Sequence, residues 1–298
     1  AKQPDESSDS DQLIIEAPRT YSRREILRHK DFSELTADES QSLRQFMANL
    51  VWELGQRRTR RNKMGSNGRY LDLRRTFRHT LRTGGELLTW PHRTPKFKPR
   101  PLIILADISG SMEPYTRLLL QFIYSLAAGL TQSVEAFVFS THLTHITRQL
   151  RSRELDRALA DISRQVTDWS GGTRIGAALK TFNYDWGRRV LGRGAIVLLI
   201  SDGWDRGDPD LLKREIARLH RSCRRLIWLN PLLGSSRYEP LTRGMQTALP
   251  HIDDFLPVHN LASLEDLATH LAALTVGKRP FHHPKPPPTG ASFIKEIR

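Results

Sequence analysis

Two unbroken apolar runs, residues 102–106 (LIILA) and 196–200 (IVLLI), pass directly into hydroxyl and carboxylate side chains, and they restrict the fold more than any other feature. Five apolar residues bounded by polar ones read as a strand buried on both faces, the kind found inside parallel sheets. Residues 133–140 and 224–230 are two more strand candidates, and helical patterns lie between all four. Such alternation argues an α/β, Rossmann-like doubly wound, mostly parallel sheet covered on both faces.

Where the first run ends, in PLIILADISGSM (residues 101–112), Asp107, Ser109 and Ser111 alternate. Period-two spacing can turn all three side chains toward one point at the strand's carboxyl end, where open α/β sheets bind ligands. One carboxylate and two neutral hydroxyls suit a hard cation, Mg²⁺ or Mn²⁺, that keeps several waters and leaves a position for a group from another molecule. Taken alone, these residues also make an ordinary turn or helix cap. Two further stretches bear on the choice: SGGT (residues 170–173) opens a helical pattern at Thr173, and the second apolar run ends in Ser201 and Asp202. The order Asp-x-Ser-x-Ser, then Thr, then Asp resembles the metal-ion-dependent adhesion site of von Willebrand factor A (VWA) domains.

The chain has 298 residues, a formal charge of +14 and a single cysteine, Cys223. One α/β domain with an appended segment is the expected organisation. A lone cysteine permits no internal disulfide and suits a reducing compartment. The amino-terminal residues lack the apolar core of a signal peptide, and residues 118–130 are too short to span a bilayer, so the cytoplasm is the expected location. The charge calls for an acidic partner, whether nucleic acid, anionic lipid or an acidic protein face.

In chain order, residues 1–20 read as a disordered tail, residues 21–99 as a helical, basic segment, residues 100–276 as the α/β domain and residues 277–298 as a Pro-rich tail. Apolar residues from Leu43 to Leu54 predict a helix over residues 37–54, capped by Thr36. Between Arg57 and Arg82 stand ten basic residues and one acid, Asp72. Arg57, Arg58, Arg60, Arg61, Arg74, Arg75 and Arg78 are the candidate partner-binding residues. Residues 64–68 read as a turn, and residues 71–81 as a short helix with a basic outer face. The prolines of residues 90–100 predict an extended connector without regular pairing. His142 and His145 are expected at the surface or as caps, not as zinc ligands. Asp205 and Asp208 follow Asp202 closely and could accept hydrogen bonds behind the metal ligands, but both stay outside the metal set, and Asp208 is more simply the cap of the helix that begins at Pro209.

Beyond the metal motif, LDLRR (residues 71–75), LRTGGE (residues 81–86), and WLNPL (residues 228–232) with Tyr238 and Pro240 are similar to the CoxE-like family of VWA proteins. The resemblance implies a partner of MoxR-type AAA+ ATPases in activating a client metalloenzyme, as in maturation of carbon monoxide dehydrogenase. It also implies that Ser109, Ser111 and Thr173 supply hydroxyl ligands, that Asp107 and Asp202 ligate directly or through water, and that a partner carboxylate fills the open position. The chain has no phosphate-binding Gly-x-x-x-x-Gly-Lys-Ser/Thr loop, so ATP would be consumed elsewhere. No nucleophile elbow or placed base argues for catalysis, and an adaptor rather than an enzyme is expected. Nucleic-acid binding through residues 57–82 is the alternative; the run offers few stacking rings, and contact with an acidic protein face is favoured over it.

Overall fold

The computed structural model describes residues 23–65, 68–82, 84–86, 90–130, 134–152, 154–166, 172–192, 194–234 and 242–274. Both expected tails, Ser170, Gly171, Tyr238 and Pro240 lie outside the described residues. Two helices, α1 (Arg23–His29) and α2 (Ala37–Ala48), lead to strands β1 (Gln56–Gly65) and β2 (Tyr70–Leu71), helix α3 (Leu73–Thr80) and strand β3 (His92–Pro99). The larger sheet follows, as β4 (Leu102–Asp107), α4 (Glu113–Gly129), β5 (Val134–Phe139), β6 (Leu143–His145), α5 (Thr147–Leu150), α6 (Leu155–Gln165), α7 (Ile175–Thr181) and α8 (Gly187–Val190). It closes with β7 (Ile196–Ile200), α9 (Pro209–Ser222), β8 (Arg225–Asn230), α10 (Arg243–Ala248), β9 (Asp254–Pro257) and α11 (Leu261–Ala273).

Six strands form this sheet in the order β6-β5-β4-β7-β8-β9, all parallel except β6, which runs antiparallel to β5 at one edge. Alternation explains the unbroken apolar run of β4. Leu102, Ile104 and Ala106 face a core shared with α2, α4 and α11, whereas Ile103 and Leu105 face a second core shared with α7, α9 and α10. Every position is buried because both faces are covered.

Residues ahead of position 100 complete the first core. Leu43 and Met47 of α2 are buried there, each contributing roughly 1.5–3 kcal/mol. Ser125 Oγ donates to the Met47 carbonyl at 2.6 Å, and the Trp52 ring lies 5.5 Å from that of Phe122. Thr36 and Glu39 form the capping box that starts α2. That helix ends at Ala48 rather than running on to Leu54: Asn49 caps it, and Trp52 and Leu54 reach the core from a non-helical segment. Their burial prolongs the apolar pattern beyond the helix itself.

The basic segment differs from the expected turn and connector. β1 and β3 pair antiparallel, and β2 pairs with the other side of β3, making a separate three-stranded sheet alongside the expected helices. Prolines do not prevent this pairing. Pro95 lies opposite Asn62, beside the register shift between Arg58 and Asn62, and Pro99 ends its strand; these are positions where a missing N–H is tolerated. Thr59 Oγ1 donates to the Lys96 carbonyl at 2.7 Å across the irregular stretch. Met64 and Gly65, expected in a turn, are the last residues of β1.

Candidate metal centre

β4 delivers Asp107 to the carboxyl rim between β5 and β7. Its Oδ1 accepts the Ser109 N–H at 2.9 Å and its Oδ2 accepts the Ser201 hydroxyl at 2.7 Å, so both oxygens face neutral donors. The first bond closes the turn that brings Ser109 Oγ to 3.3 Å from Ser111 Oγ. Asp107 and Ser109 are buried, while Ser111 lies at the surface. Burial pushes the Asp107 carboxyl up to about 7, the Asp202 charge adds to the shift, and the bonds from Ser109 and Ser201 oppose it.

Asp202 follows Ser201 at the end of β7. Its Oδ1 accepts the Trp204 N–H at 2.9 Å, and its carbonyl accepts from Asn230 Nδ2 at 3.2 Å. Trp228 Nε1 donates to the Ser201 carbonyl at 2.8 Å. The turn that follows needs Gly203, whose φ is +81° and whose added Cβ would lie 2.8 Å from Met245 Sδ. Thr173 is buried just ahead of α7; its carbonyl accepts the Arg206 N–H at 2.9 Å, while the Arg174 N–H donates to the Ser140 carbonyl at 3.1 Å. The Ile108 N–H in turn donates to the Phe139 carbonyl, so the ends of β4 and β5 and the start of α7 are stitched together. Thus Asp107, Ser109 and Ser111 are joined directly, Asp202 through Ser201, and Thr173 through the 202–206 loop.

Two positions outside the expected metal set hold this rim. Ser201 bonds Asp107, and its position, one residue before an aspartate at the end of a buried strand, is the signal that could have found it. Asp205 is the other. Its Oδ1 accepts the N–H groups of Ile175 and Gly207, both at 3.0 Å, fastening the loop to the first turn of α7. Nothing nearby in sequence marks that contact, which spans 30 positions. Its Oδ2 is buried without a hydrogen-bond partner, and burial pushes its carboxyl upward. Asp205→Ala should cost about 1–2 kcal/mol in urea denaturation through loss of this helix cap, whereas Asp205→Asn, which keeps an acceptor, should cost less.

Other expected residues lie elsewhere. Arg57, Arg58, Arg60 and Arg61 are on β1, and Arg74, Arg75 and Arg78 are on α3, in the small sheet and its helix. Asp208 caps α9 as expected. His142 is exposed, but His145 is neither surface nor cap. It is half-buried with its ring 4.7 Å from Phe137 and 4.5 Å from Trp186, and its Nε2 lies 2.9 Å from Glu135. The aromatic side chains of β5 and the turn after α7 leave it a slot. Among the described residues no group of three His, Cys, Asp or Glu side chains is arranged to hold a metal.

A model of VWA domain containing CoxE-like proteins matches residues 43–264. No curated protein matches the sequence. Solved structures superpose on part of the chain. An aerotolerance-related membrane protein from Bacteroides fragilis is 17% identical over 58% of this chain and 98% of its own, with a TM-score of 0.39. BatB from Bacteroides thetaiotaomicron is 20% identical over 58% and 96%, with a TM-score of 0.36. The manganese-loaded TRAP protein of Plasmodium vivax is 18% identical over 58% and 73%, with a TM-score of 0.40. With its doubly wound sheet and a match across both the basic segment and the α/β core, the chain belongs to the family of CoxE-like proteins containing a VWA domain.

Proposed function

We propose that Asp107, Ser109, Ser111, Thr173 and Asp202 hold a divalent cation, Mg²⁺ or Mn²⁺, through which this protein binds an acidic side chain of a partner. The observation that carries the reading is the rim around Asp107: a buried carboxylate with only neutral donors, beside a second aspartate and two hydroxyls 3.3 Å apart. Hard oxygen donors with few fixed charges fit a cation that retains waters and leaves room for an incoming carboxylate. Ser140 Oγ, at the neighbouring strand end, is buried without a protein partner and supports a hydrated site. Bound there, the cation would supply the Lewis-acidic position for the partner's carboxylate.

A groove of about 480 Å³ borders this rim at Ile108, with Thr116, Leu120 and Leu159 among its walls and Glu113 and Arg117 at its edge. It gives a protein ligand more to hold than the metal alone. Following the family resemblance, the partners are a MoxR-type AAA+ ATPase and a client metalloenzyme of the carbon monoxide dehydrogenase kind. The protein is then an adaptor rather than a catalyst.

Capture from the native cell extract in Mg²⁺, in EDTA, and with Thr173→Ala in Mg²⁺ tests this. An ATPase or metalloenzyme retained by the wild-type protein in Mg²⁺, and lost from the other two, is the expected result. The same partners in all three would show that the rim is not the binding device.

A further inference from the structure

We infer that α3 and the small sheet form a docking surface for an anionic lipid bilayer. Residues 56–100 carry fourteen Lys and Arg against Asp72 and Glu86, a net of +12 in a chain of +14. Nearly the whole excess charge sits on this one small unit. Charge alone does not choose a partner, but the apolar side chains do. Of twelve large hydrophobic side chains exposed among the described residues, eight lie between Met64 and Phe97. Concentration of that kind marks an interaction surface rather than scattered solvent exposure.

Helix α3 shows the arrangement. Asp72 starts it, with its Oδ1 held by Arg93 at 2.9 Å, and Thr76 is the buried residue of its span. Leu73, Phe77 and Leu81 recur every four residues along one stripe and are 57%, 67% and 85% exposed. The sequence predicts a basic outer face; the structure adds that the apolar stripe also faces outward, because the helix turns Thr76 inward. Arg74, Arg75 and Arg78 flank the stripe. In the sheet, Met64 and Tyr70 pair with Arg93 from opposite sides, which places all three side chains on one face, with Met64 and Tyr70 both exposed. Trp90 is exposed just ahead of β3.

Four of the eight, Tyr70, Phe77, Trp90 and Phe97, carry rings on which a base could stack, but the other four, Met64, Leu71, Leu73 and Leu81, do not, and a single strand of nucleic acid would leave them in water. A groove in an acidic protein would grip anchors repeated along a longer helix, and α3 has only eight residues. Apolar side chains from a helix, three strands and a loop, in a segment with Arg93 paired between Met64 and Tyr70 and Arg69 over the Tyr70 ring, match a fluid interface: it accepts any spacing, takes Trp and Tyr at headgroup depth, and leaves guanidinium groups at the phosphates. Each basic group close to an anionic leaflet raises affinity about fivefold. The contact inferred is peripheral, made by these side chains at the surface of the bilayer; no helix among the described residues is long and apolar enough to cross a membrane. The inference does not depend on the metal reading.

Flotation of the full chain with phosphatidylcholine vesicles, and with vesicles containing about a third phosphatidylglycerol, tests it. The protein should float only with the anionic vesicles. The double variant Phe77→Gln/Leu81→Gln leaves charge unchanged and alters only exposed side chains, so its melting temperature should match the wild type while its vesicle affinity falls roughly tenfold or more. Arg74→Gln/Arg78→Gln should lower affinity as well. Failure to float with anionic vesicles would overturn the inference. So would flotation that is indifferent to Phe77→Gln/Leu81→Gln and vanishes in moderate salt, or an acidic protein or nucleic acid that binds the surface while vesicles do not.

Discussion

Between about pH 4 and pH 7 the metal-free protein loses roughly 4 kcal/mol of stability through Asp107 as the pH rises. The carboxyl is pushed by burial from an ordinary 3.8 up to about 7 in the folded state. Over that interval the folded chain holds a proton that the unfolded chain has released, so folding is favoured at the acid end and the advantage is lost as pH rises through 7. Asp205, pushed the same way, adds to the slope. Subtracting the curve of Asp107→Asn from that of the wild type isolates the Asp107 contribution. Mg²⁺ or Mn²⁺ at about a hundred times its dissociation constant should return about 2.7 kcal/mol at pH 8 and nothing to Asp107→Asn. The metal must displace the proton, so its affinity should weaken below pH 7. Urea denaturation across the pH range, with and without metal, is the measurement. Parallel curves for the two proteins, or equal stabilisation by metal, would sink both the protonation argument and the proposed site.

Trp228→Ala should cost about 3–5 kcal/mol in the same assay. Its side chain is fully buried against the α7, α9 and α10 face of the sheet, with no solvent available to fill the space left behind. Trp228→Phe separates packing from hydrogen bonding. It retains much of the apolar ring and removes the N–H that holds the Ser201 carbonyl, at an expected cost of about 1–3 kcal/mol. Ser201 is also the hydroxyl that fixes Asp107. Trp228→Phe should therefore weaken metal-dependent stabilisation more than its modest destabilisation would suggest. Trp228→Ala costing less than about 1 kcal/mol would contradict the packing described for this face.

The sheet was legible because both of its faces are buried: five apolar residues in a row have few other solutions in a chain with helices between such runs. The set Asp107, Ser109, Ser111, Thr173 and Asp202 was legible only as an order along the chain, through its resemblance to the metal-ion-dependent adhesion site; Asp107 ends β4, Asp202 follows the neighbouring parallel strand β7 and Thr173 stands just ahead of α7, which is the placement the proposed site is built on. The contact of Asp205 with Ile175 was not legible, since it is a product of folding with no local signature. The pairing of β1 with β3 was hidden for a different reason. Arginines and prolines weaken the local signal for strands, yet an antiparallel ribbon open to water on much of its surface needs no apolar alternation, and its prolines sit where the ladder is already irregular or ending. Exposure of the α3 stripe was also out of reach, because periodicity reveals that a helix has an apolar side without revealing what lies against it.

The place of β4 in its sheet has a mechanical consequence. It is hydrogen-bonded on one side to β5 over six register pairs and on the other to β7 over five, and Asp107 is its terminal residue. Tension applied along the strand axis to a ligand held at the proposed site would load the two ladders together in shear instead of parting them one bond at a time. A pull strong enough to extract β4 must break both flanks at once. A ligand bound at the proposed site would therefore be anchored on a strand suited to carrying load, and that contact would yield before the domain does.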